Sequence, residues 1–252
     1  MVPVQSGAPL QALIFDVDGT LADTERDGHR IAFNEAFRQA GLDWHWDIPL
    51  YGALLAVTGG KERIRFYLEQ FRPQLLADAD IGSRIAALHQ SKTHCYTDLV
   101  AQGGLPLRVG VARLINEARA AGLRLAIATT TTPENVTVLL ESSLAKGATD
   151  WFEVIGAGDI VPAKKPAPDI YLWVLEKLGL PASACLAFED SENGLRAARG
   201  AGLTTIVTTN DYTLDHAFDG AVVVLPDLGD SDAHHRVSGA KLREWQAAGG
   251  SS

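Results

Sequence analysis

Apolar, β-branched runs of strand length alternate with helical patterns through most of this 252-residue chain, and one long stretch interrupts the alternation. Strands are expected at Ala12–Phe15, Leu123–Thr129, Glu153–Ala157, Cys185–Phe188, Thr204–Thr208 and Ala221–Leu225. Between them, apolar residues recur at three- and four-residue spacing: Leu114, Ile115 and Ala118; Ile170, Tyr171, Val174 and Leu178; Leu195 and Ala198. Gly122, Gly179 and Gly202 follow these stripes where left-handed helix caps belong. Strands separated by helices need crossover connections, so the expected fold is α/β: a doubly wound parallel sheet with helices on both faces.

From about Glu25 to Gly104 there is helical periodicity and no convincing strand. Ile31, Phe33, Ala36, Phe37 and Ala40 form one stripe, Ile64, Leu68 and Phe71 a second, and Ile85, Leu88 and Lys92-Thr93 a third. The expected organisation is an α/β core of residues 1–24 and 105–228 with a helical cap at 25–104 inserted after the first strand. Ligands bind at the carboxyl ends of parallel strands, so a lid inserted there would cover the site. From Gly229 onward, residues 229–252 read as a loosely held tail with a short helix around Lys241–Gln246.

With 46% hydrophobic residues the chain can bury a full core. Its net charge of −9 and the lack of a long basic run argue against nucleic acid as a partner. The apolar runs are too short to span a membrane, and Met1–Pro9 has neither the positive start nor the apolar stretch of a signal peptide. Cys95 and Cys185 have no metal-type spacing and read as reduced thiols in a cytoplasmic protein. A monomer acting on a small molecule is the expectation.

Four groups fall at expected strand ends. Asp16-Val17-Asp18-Gly19-Thr20 follows Leu13-Ile14-Phe15, and such a pattern arises by chance in only about one chain in several hundred of this length. Thr129-Thr130-Thr131-Thr132-Pro133 follows the second strand. There Thr132 and Pro133 suit the N-cap and first turn of a helix, whose free amides could cradle phosphate oxygens. Lys164-Lys165-Pro166 precedes the next helix, and Glu189-Asp190-Ser191 follows the fourth strand. Each has an ordinary reading as turn, cap or solvated charge. Together at one end of a parallel sheet they describe phosphoryl transfer: carboxylates for a hard cation such as Mg²⁺, and a lysine to offset phosphoryl charge.

The order of these four motifs resembles the haloacid dehalogenase superfamily of phosphohydrolases, over residues 10 to 228. The resemblance implies that Asp16 is a nucleophile forming an aspartyl-phosphate. Asp18 would protonate the leaving alkoxide and then activate water. Thr129 and Lys165 would hold the phosphoryl group, with Lys164 exposed. Asp16, the Asp18 backbone carbonyl and Asp190 would bind Mg²⁺, with Glu189 close by. Carbon–halogen cleavage needs no acid for an alkoxide, so Asp18 points to a phosphatase or phosphomutase.

In the cap, Thr58-Gly59-Gly60-Lys61-Glu62-Arg63-Ile64-Arg65 opens a helix on two glycines, with Lys61 and Arg65 one turn apart. It reads either as a turn into a solvated helix or as a clamp for a second, non-reacting phosphate. Glu25 and His29, beside the catalytic strand, could reach sugar hydroxyls, and Thr130 and Thr131 complete the phosphate cradle. These cap motifs, with Asp18-Gly19-Thr20-Leu21-Ala22-Asp23-Thr24-Glu25 and Ala128-Thr129-Thr130-Thr131, are similar to the CbbY-type phosphatases. That similarity implies a sugar bisphosphate substrate, xylulose-1,5-bisphosphate, an inhibitor of rubisco. The rivals are a β-phosphoglucomutase-like phosphomutase and a catalytically silent sugar-phosphate-binding regulator; the latter should have lost Asp16, Asp18 or the Lys165–Asp190 set.

Overall fold

The computed structural model describes residues 8–103 and 105–249. The cap boundary expected at Gly104, the reading of residues 1–7 and the last three residues of the tail lie outside them. Six parallel strands form one sheet: β1 (Ala12–Phe15), β2 (Arg124–Ala128), β3 (Val154–Gly156), β4 (Cys185–Glu189), β5 (Thr204–Thr208) and β6 (Val223–Leu225). Their order is β3-β2-β1-β4-β5-β6. β2 and β3 lie on one side of β1 and the later strands on the other, so the chain reverses its winding beside β1. That reversal opens a crevice at the carboxyl ends of β1 and β4.

Both faces of β1 are fully buried, as a parallel sheet between helices requires. Leu13, Phe15, Ile127, Leu186 and Phe188 build one face, where the Phe15 and Phe188 rings stack at 4.6 Å. The other face is small: Ala12, Ala126, Ala128 and Ala187 lie against Ile170, Tyr171, Val174, Ala197 and Ala198. The latter come from two helices, which I-to-i+4 spacing places face-on to the sheet.

The segment after β1 is helical: α1 (Arg30–Gln39), α2 (Ile48–Leu54), α3 (Gly60–Phe71) and α4 (Ile81–Ala101). It has an aromatic core of its own, with Phe33, Phe37, Trp44, Trp46, Tyr51, Tyr67, Ile64 and Leu68 buried together. Three expected stripe positions are corrected: Ile31, Ala40 and Phe71 are exposed. Phe33 and Phe37, one turn apart, set the inward face of α1 together with Ala32 and Ala36, and Ile31 falls off that face.

The core continues with α5 (Val111–Ala120), α6 (Pro133–Leu139), α7 (Asp169–Leu178) and α8 (Glu192–Gly200), and a ninth helix, α9 (Gly239–Gly249), follows the sheet. The tail is not loosely held. Val237 and Leu242 are buried in the sheet's core, and the Arg113 guanidinium donates to the carbonyls of Leu228, Gly229 and Val237. Arg236 pairs with Glu117 at 2.7 Å. Two apolar anchors and an arginine on another helix suffice, and neither leaves a local periodicity to read. Among the described residues no helix is long and apolar enough to cross a membrane.

Candidate active site

Asp16 leaves β1 with its amide still donating to the Phe188 carbonyl, 3.0 Å away, so its side chain is set by the sheet. Glu189 ends β4 next door, and Asp190 follows it. Ser191 caps α8 by accepting a hydrogen bond from the Gly194 amide at 3.2 Å, which fixes the turn out of the strand. Lys165, from the connection between β3 and α7, reaches across with Nζ 2.6 Å from both Asp16 Oδ1 and Glu189 Oε1. The Tyr171 hydroxyl of α7 donates to the same Glu189 oxygen. Side-chain oxygens of Asp16, Glu189 and Asp190 lie within 4.8 Å of one another, all in buried residues.

Of these three buried carboxylates, two share one lysine. Burial pushes the Asp16 carboxyl up to about 8 against the pull of Lys165, with Glu189 and Asp18 adding to the rise. Asp190 is raised well above the usual carboxylate range by burial and then by Asp16 and Glu189. Burial works to lower the Lys165 ammonium, but Asp16 and Glu189 overcome it and raise it above its ordinary value. This all-oxygen, charge-strained set is what a hard divalent cation relieves, so the donors fit one.

Asp18 does not turn its carboxylate into that cluster. Its Oδ1 accepts from the Thr24 hydroxyl at 2.6 Å and lies 2.9 Å from His29 Nε2. Burial alone would raise its carboxyl, but the facing His29, by charge and hydrogen bond, and Thr24 hold it well below the usual range. His29 is buried, tilted against the Tyr96 ring at 4.2 Å, with Lys92 Nζ 2.8 Å from its Nδ1. Burial lowers the Lys92 ammonium to about 8. Both ring nitrogens of His29 are thus engaged, one by Asp18 and the other by Lys92.

The crevice is a cavity of about 270 Å³ bounded by Asp16, Asp18, Lys165 and Asp190 on the core side and by Glu25, Thr58 and Arg63 on the cap side. Glu25 carboxylate oxygens accept from Tyr51 and lie 3.5 Å from the Arg63 guanidinium. Arg63 is buried and lines this cleft whereas Arg65 is exposed and does not, so the inward arginine of α3 is Arg63. Its phase matches Tyr67, one turn on, which is also buried. Lys61 pairs with Asp159 of the core. Gly60, Lys61 and Thr130 line a smaller cavity of about 120 Å³ with His89 and Gly158. A Cβ on Gly60 would lie 2.5 Å from the His89 ring, so glycine there serves helix packing.

Thr129 is buried directly after β2, and its amide donates to the Gly156 carbonyl at 2.9 Å. Thr130 lines both cavities, whereas Thr131 is buried and accepts from Asn135 at 2.9 Å. Thr132 and Pro133 do begin α6, but the Thr132 hydroxyl makes no capping bond. Lys164, expected exposed, is half-buried because its ammonium donates to the Gly158 carbonyl and pairs with Asp159.

Sequence reasoning missed Arg63, Lys92, Tyr171 and Asn210. Each lies far along the chain from the group it touches, and none sits in a strand-end motif. A faint signal existed for Lys92, a charged residue on the apolar stripe of α4. Arg108 was also missed: its guanidinium donates to the carbonyls of Gly19, Thr208, Thr209 and Pro226, binding the turn after β1 to the loop after β5.

The model of the haloacid dehalogenase-like hydrolases matches residues 10–202. Protein CbbY from Cupriavidus necator is 52% identical over 246 residues, covering 94% of this chain and 96% of that protein. A fructose-1-phosphate phosphatase of Escherichia coli is 32% identical, over 77% of this chain and 94% of its own length. The fold superposes with a TM-score of 0.80 on an aspartate-to-asparagine variant of CbbY from Rhodobacter sphaeroides in complex with xylulose-1,5-bisphosphate. That protein is 44% identical, with 88% of this chain and 96% of that one covered.

Proposed function

The chain belongs to the haloacid dehalogenase-like hydrolase family and is a phosphatase, and on that premise we propose that it removes one phosphate from a sugar bisphosphate with Mg²⁺ bound at Asp16, Glu189 and Asp190. The substrate we assign is xylulose-1,5-bisphosphate, giving xylulose 5-phosphate and inorganic phosphate. The observation that carries the reading is the Lys165 ammonium, 2.6 Å from both Asp16 and Glu189 in a cleft that Asp18 also lines. The bisphosphate assignment is supported by the CbbY complex and by the cationic Arg63 on the opposite wall of that cleft.

In this mechanism an Asp16 carboxylate oxygen attacks phosphorus in line with the sugar oxygen. The P–O bond to the sugar breaks, and Asp18 delivers its proton to the departing alkoxide. With its present neighbours Asp18 is an anion; the negative phosphoryl group brought beside it raises its carboxyl toward the proton-donating form. Asp18 then takes a proton from water, whose oxygen attacks phosphorus, freeing inorganic phosphate and regenerating the Asp16 carboxylate. His29 and Thr24 hold Asp18 at the angle both transfers need. Lys165 and the Thr129–Thr130 turn after β2 bear the equatorial phosphoryl oxygens. Mg²⁺ supplies charge neutralisation of the transferring group when bound.

The test is phosphate release across pentose, pentulose and hexose mono- and bisphosphates, with Mg²⁺ and with EDTA. The expected result is metal-dependent release, greatest for the pentulose bisphosphate and lost in Asp16→Asn. Activity that survives either EDTA or Asp16→Asn overturns the mechanism. An isomerised sugar phosphate without free phosphate makes the protein a phosphomutase.

A further inference from the structure

We propose that Asn210, in the loop after β5, is a positioning residue for the metal site: its side-chain amide holds the Asp190 carboxylate in ligating orientation and so sets the affinity for Mg²⁺. This rests on the reading of Asp16, Glu189 and Asp190 as that site. Asn210 Nδ2 donates to Asp190 Oδ2 at 2.7 Å. Among the described residues that is the one hydrogen bond the Asp190 side chain receives, because both bonds of the Lys165 ammonium go to Asp16 and Glu189. Asp190 therefore faces two other carboxylates with a single donor to restrain it.

The amide cannot be turned around. The Tyr212 backbone N–H donates to Asn210 Oδ1 at 2.9 Å, so the carbonyl end is committed to the loop and the amino end to Asp190. The Asn210 backbone N–H in turn donates to the Thr213 hydroxyl at 3.0 Å. Arg108 then ties the carbonyls of Thr208 and Thr209, just before Asn210, to that of Gly19. Gly19 itself has a positive φ of 83°. A Cβ there would lie 2.2 Å from Asp190 Oδ2 and 2.6 Å from Asn210 Nδ2. The glycine of the Asp-x-Asp-Gly-Thr motif is thus required twice, for its backbone angle and for the space the Asp190–Asn210 pair occupies.

Without the Nδ2 donor no hydrogen bond among the described residues fixes the Asp190 side chain, and an arriving cation must orient it at a cost in binding. Groups that orient metal ligands are commonly worth about ten- to a hundredfold in affinity. The experiment titrates MgCl₂ into EDTA-treated, dialysed full-length protein by calorimetry, comparing wild type with Asn210→Ala and Asn210→Ser. Serine keeps an acceptor for the Tyr212 N–H and so the turn, but has no amino group to reach Asp190. Both variants are expected to bind Mg²⁺ about tenfold or more weakly. Their KM at saturating Mg²⁺ and their thermal midpoint in EDTA should stay near wild type. If Asn210→Ala does not fold, Asn210→Ser decides. Serine-variant affinity within about twofold of wild type overturns the role of Asn210, as does a midpoint in EDTA that falls along with affinity. Wild type that takes up no Mg²⁺ overturns the metal site itself, a separate failure.

Discussion

Replacing Lys165 with methionine removes the shared counter-ion of Asp16 and Glu189 and keeps the volume. Two charge-assisted bonds of 2.6 Å disappear from a residue 5% exposed. Breaking a buried ion pair from one side costs about 3–5 kcal/mol, because the abandoned charge stays behind. The cost depends on pH. Asp16 already holds its proton up to about 8 with Lys165 present, and without the lysine its carboxyl rises further. Near pH 6 Asp16 is a neutral acid and only Glu189 is left without its partner, whereas near pH 9 the variant must in addition either ionise an unpaired Asp16 carboxylate or hold its proton against the gradient. On the lysine's side, a folded-state pKa raised above 10.5 means its contribution is complete below that value and is lost only at still higher pH. The full effect therefore belongs to the window between about 8 and 10.5. For a chain of this size each kcal/mol moves the thermal midpoint by about 2–4 °C, so the variant should melt about 6–20 °C below wild type at pH 9 and much closer to it at pH 6. Scanning calorimetry in EDTA at the two pH values measures this. A midpoint at pH 9 matching wild type would refute the claim that Lys165 neutralises this cluster.

The metal-free wild type should itself lose stability as pH rises from about 4 to about 8. Across that range the folded protein keeps on Asp16 a proton that the unfolded chain has released. Saturating Mg²⁺, which takes up the deprotonated carboxylates, should flatten the slope, and urea midpoints with Mg²⁺ or EDTA would show no difference if the triad binds no cation. Lys61→Ala should raise KM for a bisphosphate more than for a monophosphate; equal effects would leave Lys61 with only its ion pair to Asp159. Asp159→Asn, which frees the Lys61 ammonium, should move the bisphosphate KM the other way by less than tenfold, since exposed pairs are worth about 0–1 kcal/mol.

Much of the framework is legible because its causes are local. Leu13-Ile14-Phe15 and Leu125-Ala126-Ile127 are apolar on every residue, as strands buried on both faces must be. Their ends are marked by the first residues that carry chemistry, Asp16 and Thr129. The inserted helices announce themselves by period, although Ile31 and Phe71 show that a stripe wider than the buried face misassigns its edge. The choice between Arg63 and Arg65 was not legible, since both flank Ile64 and the partners that hold Arg63 inward, Tyr51 and Glu25, are 12 and 38 positions away. The contacts of His29 were not legible either: its neighbours in space, Asp18 and Lys92, are 11 and 63 positions away.

The sequence by itself determined the alternation that makes a parallel sheet, the strand ends where Asp16, Thr129 and Glu189 emerge, and hence the kind of chemistry available there. Those depend on residues within a few positions of one another. Only the tertiary structure decided how the carboxylates divide. Lys165 crosses from another connection to hold Asp16 and Glu189, His29 and Lys92 draw Asp18 aside, and Asn210 steadies Asp190. Charge interactions act through space over a few ångströms, so the partners of Asp16 and Asp18 are set by how strands and helices pack and not by order along the chain.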